Sequence, residues 1–315
     1  MKSDDKYIVI MCDFGQGDVL ATTPALRGLK KKYPDHKIIA ACVYAKIWDN
    51  NPNVDELYQL GAHHHLYDKY IFPIKTESED KKLINVKIYE NRLANICDRP
   101  ISHIICDVVG VPFDEDKLDF FLTEDEDEFG RDFVKAFKRP VIVIQTESAR
   151  PPTKGGKEKM NIEKDWFTER WNELVDKLKH KYDFIQVGGP TETPIHGIAS
   201  NLLGKIDIRK SASIIKYCKT FVTIDSIVQH IGNAMGKKGV VLFGRSKLET
   251  LSHNSNINIV VPGSCPIMPC MGPEPGFGQL IVKDNALVGW TCPDKKCMKA
   301  ISVDMVIKTI EDNFS

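Results

Sequence analysis

Short apolar runs alternate along this chain with longer segments whose apolar residues recur every three or four positions, and Gly, Pro or Asp clusters mark the changes of period. KYIVIMC reads as a buried strand, DFGQGD as a loop, VLATTPALRGLKKKYP as a helix and KIIAACV as the next strand, which is a βαβ unit. The alternation returns in strand VIVIQT, helix FTERWNELVDKLKHK, strand DFIQVGG, helix SASIIKYC, strand TFVTI, helix SIVQHIGNAMG and strand KGVVLFG. Strands this continuously apolar must be covered on both faces, so the expected fold is α/β, with two parallel sheets flanked by helices. Between the halves, SEDKKLINVKIYENRLANIC and ISHIICDVVG read as helices and the acidic TEDEDEFGRDF as a linker, which puts the break near Pro140. The expected domains are residues 1–140 and 141–315. The second should contain an irregular Cys-rich excursion over 262–297 and a final helix from Val303 to Asn313.

The chain has 315 residues, 43 basic against 43 acidic, with 42% apolar residues. That balance excludes a disordered chain, and the length suits about two domains. Residues 1–140 carry 20 basic and 25 acidic residues and the remainder 23 and 18. The slight positive excess of the second half suits an anionic ligand and is too small for a nucleic-acid footprint, so no nucleic acid is expected as a partner. No run approaches the ~18 apolar residues of a membrane span, and the opening residues lack a secretory pattern. The expectation is a cytoplasmic protein whose membrane contact, if any, is peripheral. Nine cysteines then read as reduced thiols or metal ligands, with Cys12, Cys42, Cys97, Cys106 and Cys218 as small apolar core residues.

Ligands of open α/β sheets gather beyond the carboxyl ends of the strands. After the first strand, Gly15 and Gly17 permit a tight turn and Asp18 opens a helix. The loop is not a dinucleotide fingerprint, because Leu20 stands where a third glycine is required, and DFG lacks its kinase companions. Asp18 suits two roles: accepting backbone N–H bonds at a helix start, or acting as a general base toward an incoming hydroxyl. After TFVTI, Asp225 and Ser226 open a helix whose first amides would attract a phosphate, and His230 lies on the same face as Ser226; capping and a structural histidine would explain the same residues. QVGGPTET sets Gly188 and Gly189 at a strand end with Glu192 behind them, as a ribose-hydroxyl acceptor or an ordinary turn. The basic loop offers Arg150, Lys154, Lys157, Lys159 and Lys164. Lys164 stands apart because a buried Trp166 would fix it, and a fixed ammonium can neutralise a diphosphate leaving group. His63 to His65 read as a surface loop, since neighbouring residues point in different directions.

Together these strings resemble glycosyltransferase family 9, the heptosyltransferases. GQGDVLATTPALRGLKKKYPDHKI is similar to the family's opening G-x-G-D-v-l-x-t-x-P-A-L pattern, and EKDWFTERWNELVDKL to its K-x-W-p-x-x-x-W-x-x-L segment. FVTIDSIVQHIGNAMGKKGVVLFG resembles the v-x-x-D-S-G-x-x-H signature, and CMKAISVDMVIKTI the C-terminal end. The resemblance implies a GT-B architecture, two Rossmann-like domains with parallel sheets facing a central cleft. It also implies inverting transfer of a sugar from a nucleotide-diphosphate donor, usually ADP-heptose, bound by the C-terminal domain. The implied acceptor, bound by the N-terminal domain, is a lipopolysaccharide, another glycan or a lipid-linked sugar, reached at the inner face of the membrane.

Carried over by motif, Asp18 is the base and Lys164 the diphosphate partner, Glu192 contacts ribose, and Asp225, Ser226 and His230 line the donor pocket together with Gly15, Gly17, Gly188, Gly189 and Arg245. No cofactor is required for this chemistry. The departures lie in the donor pocket: Ile227 replaces the signature glycine, and F-G-R-S, with Arg245 and Ser246, replaces F-G-P-T. The alternative functions are a nucleotide-sugar-binding protein without transfer, or another GT-B activity such as a sugar-nucleotide epimerase. Cys265, Cys270, Cys292 and Cys297 are spaced as two C-x4-C pairs; they would suit a structural zinc or iron, or are free thiols.

Overall fold

The computed structural model describes residues 6–76, 78–88, 98–148, 164–266, 268–270, 279–283, 286–292 and 294–315. The chain divides into two compact units, Met1–Glu124 and Asp125–Ser315, each built on its own parallel sheet. In the first, β1 (Tyr7–Cys12), β2 (Lys37–Cys42), β3 (Glu56–Gln59) and β4 (Lys81–Asn85) lie in the order β3-β2-β1-β4. Ile8, Val9 and Ile10 are fully buried, as a strand covered on both faces requires. Beyond β1 come α1 (Gln16–Ala21) and α2 (Thr23–Lys32), the latter with a proline in its first turn, where a missing N–H costs nothing.

The expected helix SEDKKLINVKIYENRLANIC is corrected in part: Lys81–Asn85 is a strand paired parallel to Tyr7–Met11. Ile84, Val86 and Ile88 alternate with Asn85 and Lys87, a period of two that β-branched residues favour, and Val86 and Ile88 are buried. Residues 89–97, including Cys97, lie outside the described residues.

The second unit holds β5 (Val141–Gln145), β6 (Asp183–Gln186), β7 (Ser200–Asn201), β8 (Thr220–Ile224), β9 (Val240–Leu242) and β10 (Ile257–Ile259) in the order β10-β9-β8-β5-β6-β7. All pairs are parallel. The chain builds outward from β5 through β6 to β7, then returns to the other side of β5 with β8. The strand order reverses between β5 and β8, which makes their carboxyl ends the switch point where sheets of this kind bind ligands.

The acidic stretch expected as a linker is instead the helix Glu124–Lys135, and it goes with the second unit, ahead of the expected break near Pro140. Its carboxylates explain this. Glu126 takes both Nε and Nη2 of the buried Arg209, at 2.5 and 2.7 Å, and Asp127 accepts from Lys216 and Tyr217. Gly130 permits the approach, since a Cβ there would lie 2.2 Å from Ser213 Oγ. The excursion expected to be irregular contains an antiparallel hairpin, Gln279–Lys283 with Ala286–Thr291, from two short β-prone runs two residues apart. The final helix spans Val303–Phe314. Among the described residues no helix is long and apolar enough to cross a membrane.

Candidate active site

Lys164 is held by burial of the two residues that follow it. Trp166 is buried, donates its indole N–H to the Ile301 carbonyl at 3.1 Å and meets Trp171 edge-on. Asp165, also buried, accepts the Ser148 backbone N–H at 3.0 Å. So fixed, the Lys164 ammonium stands 3.7 Å from Asp225 Oδ2. Arg150, Lys154, Lys157 and Lys159 lie outside the described residues.

Asp225 follows β8 directly and is buried. Its Oδ1 accepts from Gln229 Nε2 at 2.6 Å and its Oδ2 from Ser246 Oγ at 2.5 Å. Ser226 occupies the N-cap position of the helix Ile227–Ala234, but its hydroxyl does not cap that helix. It turns to Gln145 Oε1, 2.7 Å away, and lies 2.8 Å from Thr223 Oγ1. Gln145 Nε2 reaches Glu192 Oε1 at 3.3 Å, and the same carboxylate oxygen accepts the Gly189 N–H at 2.8 Å. The switch point thus carries one connected polar row, Ser226–Gln145–Glu192, from the end of β8 past the end of β5 to the loop after β6.

Glu192 is 4% exposed, and its buried Oε2 has no hydrogen-bond partner among the described residues. Burial pushes its pKa up to about 7, opposed by the bonds from Gly189 and Gln145. Gly188 makes room for it: φ is +149°, and a Cβ there would fall 2.3 Å from Glu192 Oε1. Any side chain at 188 would therefore strain the backbone and expel the carboxylate.

Asp18 is the third residue of α1, and its Oδ2 accepts the Gly15 N–H at 3.1 Å. This is the reciprocal half of a capping box, with glycine at the N-cap where a hydroxyl would supply the other half. Gly15 is extended at φ −62°, ψ 166°, so no left-handed turn is needed there. Gly17 is the second residue of the same helix. His230 is buried, and its Nδ1 lies 2.8 Å from Nε2 of His253, so one proton is shared between the rings. Arg245 precedes Ser246, and its carbonyl accepts the Cys270 N–H at 3.1 Å.

Burial raises the Cys297 thiol, opposed by a backbone hydrogen bond at Met298 and reinforced by the charges of Cys270, Cys265 and Cys292. Among the described residues no group of three or more His, Cys, Asp or Glu could hold a metal ion, so of the two alternatives, metal or free thiols, their placement does not fit zinc or iron. Burial pushes Cys12 to about 11 and Cys42, Cys106 and Cys218 to about 12, as expected of inert core thiols.

The strand-end rule thus brings Lys164, Gly188, Gly189, Glu192, Asp225 and Ser226 into the second unit's site. It missed Gln145, Thr223 and Gln229, although Gln145 is the polar residue ending the apolar run VIVIQ and was visible on the same rule. His253 carried no sequence signal.

Two Rossmann-like units, each built on a parallel sheet of this strand order, match the fold of a GT-B glycosyltransferase. The chain belongs to glycosyltransferase family 9 (heptosyltransferase), which residues 101–274 match. A family 9 glycosyl transferase from Veillonella parvula DSM 2008 is similar over 99% of this chain and 98% of its own, at 21% identity and TM-score 0.69. ADP-heptose lps heptosyltransferase II of E. coli is similar over 97% and 98%, at 15% identity and TM-score 0.65. The iron-containing dodecameric glycosyltransferase TibC of enterotoxigenic E. coli H10407 is similar over 99% of this chain and 79% of its own, at 14% identity and TM-score 0.68. No curated protein sequence matches the chain.

Proposed function

We propose that this glycosyltransferase moves a heptose-like sugar, with inversion, from ADP-heptose to a hydroxyl of a lipopolysaccharide or another glycan or lipid-linked acceptor. The supporting observation is the Lys164 ammonium, held 3.7 Å from Asp225 at the switch-point end of β8, where a Rossmann-like unit receives a nucleotide. Asp18 takes the acceptor proton while the acceptor oxygen bonds the anomeric carbon from the side opposite the diphosphate. The bond from that carbon to the diphosphate oxygen breaks, and Lys164 with the first amides of the helix Ile227–Ala234 receives the departing charge. Glu192 accepts from ribose, Gly188 and Gly189 admit the nucleotide beside it, and His230 and Arg245 complete the donor pocket. Metal is not required in this sequence of steps, and the acceptor's lipid would bring the protein to the inner membrane face as a peripheral partner.

A thermal-shift panel tests the donor. At a hundred times its Kd, a ligand confined to the folded state adds about 2.7 kcal/mol, which for a domain of this size raises Tm by roughly 5–10 °C. ADP and ADP-heptose are expected to do so, with UDP, GDP and inorganic phosphate giving much smaller shifts. A panel in which no nucleoside diphosphate moves Tm contradicts the proposal.

A further inference from the structure

Gln145 ends the central strand of the second sheet and is 3% exposed. When Glu192 is ionised the Gln145 side chain sits one way round: a carboxylate only accepts, so the amide N–H faces Glu192 Oε1 at 3.3 Å, which turns the amide oxygen to Ser226 Oγ at 2.7 Å. The Ser226 hydroxyl then spends its single proton on Gln145. The single Thr223 hydroxyl proton is then left to serve both Ser226 Oγ at 2.8 Å and the Gln145 backbone carbonyl at 3.2 Å. Among the described residues, the row ends at the buried Oε2 of Glu192, which has no hydrogen-bond partner within bonding distance there.

We propose that Gln145 is the positioning residue of the nucleotide site: it aims the Glu192 carboxylate at a hydroxyl-bearing ligand and directs the Ser226 proton inward, away from phosphate. This rests on the donor-binding reading above. Ser226, expected from the sequence to supplement the helix amides at a phosphate, instead serves as a strut. Among the described residues Glu147, just beyond β5, also faces Glu192: its charge disfavours ionisation of Glu192, while its backbone hydrogen bond favours it. Gln145 and the Gly189 N–H favour it too.

The test uses the full chain and Gln145→Met, of similar volume without the amide. In the ligand-free protein, the Glu192 carboxyl followed by carbon NMR should titrate at about 7 in the parent. In the variant it should titrate about one unit higher, because a bond favouring the anion is gone. At pH 7 the ionised fraction then falls about fivefold, so the Kd for ADP should rise about fivefold, the gap closing by pH 9 where both carboxylates are ionised. Gln145→Asn, which keeps the amide but retracts it, should shift the midpoint in the same direction and serves if the methionine variant does not fold. A merely structural glutamine would leave the midpoint unmoved, or weaken ADP binding equally at pH 7 and pH 9, and either result overturns the proposal. Failure of the parent chain to bind ADP at any pH overturns the donor reading and the ligand role of Gln145 with it. In that event the ligand-free titration still decides whether Gln145 orients Glu192.

Discussion

Replacing Asp18 by Asn is expected to lower sugar transfer by about 10²–10⁴-fold and to leave ADP binding and Tm nearly unchanged. The substitution separates the two roles the sequence left open for this residue. Asn retains a carbonyl oxygen able to accept the Gly15 N–H that Asp18 accepts at 3.1 Å, so the turn into Gln16–Ala21 keeps its bond. It loses only the capacity to take a proton. Asp18→Ala removes both, and should add about 1 kcal/mol of lost stability to the same loss of turnover. Transfer at the parent rate by Asp18→Asn would reduce Asp18 to a residue that ends a helix, and the base would have to be sought elsewhere.

Lys164→Met has the second-largest expected effect, a loss of about 10²–10³-fold in kcat/KM, because a preorganised cation is worth most where charge develops on the leaving group. The effect on folding should be moderate. Asp225 keeps Ser246 and Gln229 as partners, and at 3.7 Å Lys164 lies beyond hydrogen-bond length from it. The Asp225 side chain is only 6% exposed, however, so losing its cation should cost about 1–3 kcal/mol, more than a surface pair would. A large fall in Tm with intact kcat/KM would mean that Lys164 serves the fold rather than the reaction. Lys164→Arg keeps the charge but spreads it over a planar fork, so only partial recovery is expected.

What could be read from the sequence follows the range of the interactions. β1, β5 and β8 were legible because YIVIMC, VIVIQ and TFVTI are buried on both faces, and continuous burial leaves a continuous apolar run. The Trp166 anchor of Lys164 was legible for the same reason: an indole next to a lysine ahead of an amphipathic helix has a core to enter. Two elements misled. Lys81–Asn85 pairs with a strand some seventy residues earlier, and its mixed composition hides a period of two among lysines. The acidic helix takes its place from Arg209 and Lys216, about eighty to ninety residues later, which no local pattern announces. The orientation of Gln145 has the same origin, since it depends on Glu192 and Ser226 arriving from two other strand ends. Family resemblance reached the site residues because their strings are local, and missed the partners that hold them.

Amide hydrogen exchange on the full chain, with and without saturating ADP, tests the central claim most directly: that the nucleotide sits at the carboxyl ends of β5, β6 and β8. The account predicts slowed exchange at residues 187–193 and 225–231, with the sheet of the first unit little changed. Protection confined to other segments, or none at saturating ADP, would contradict it.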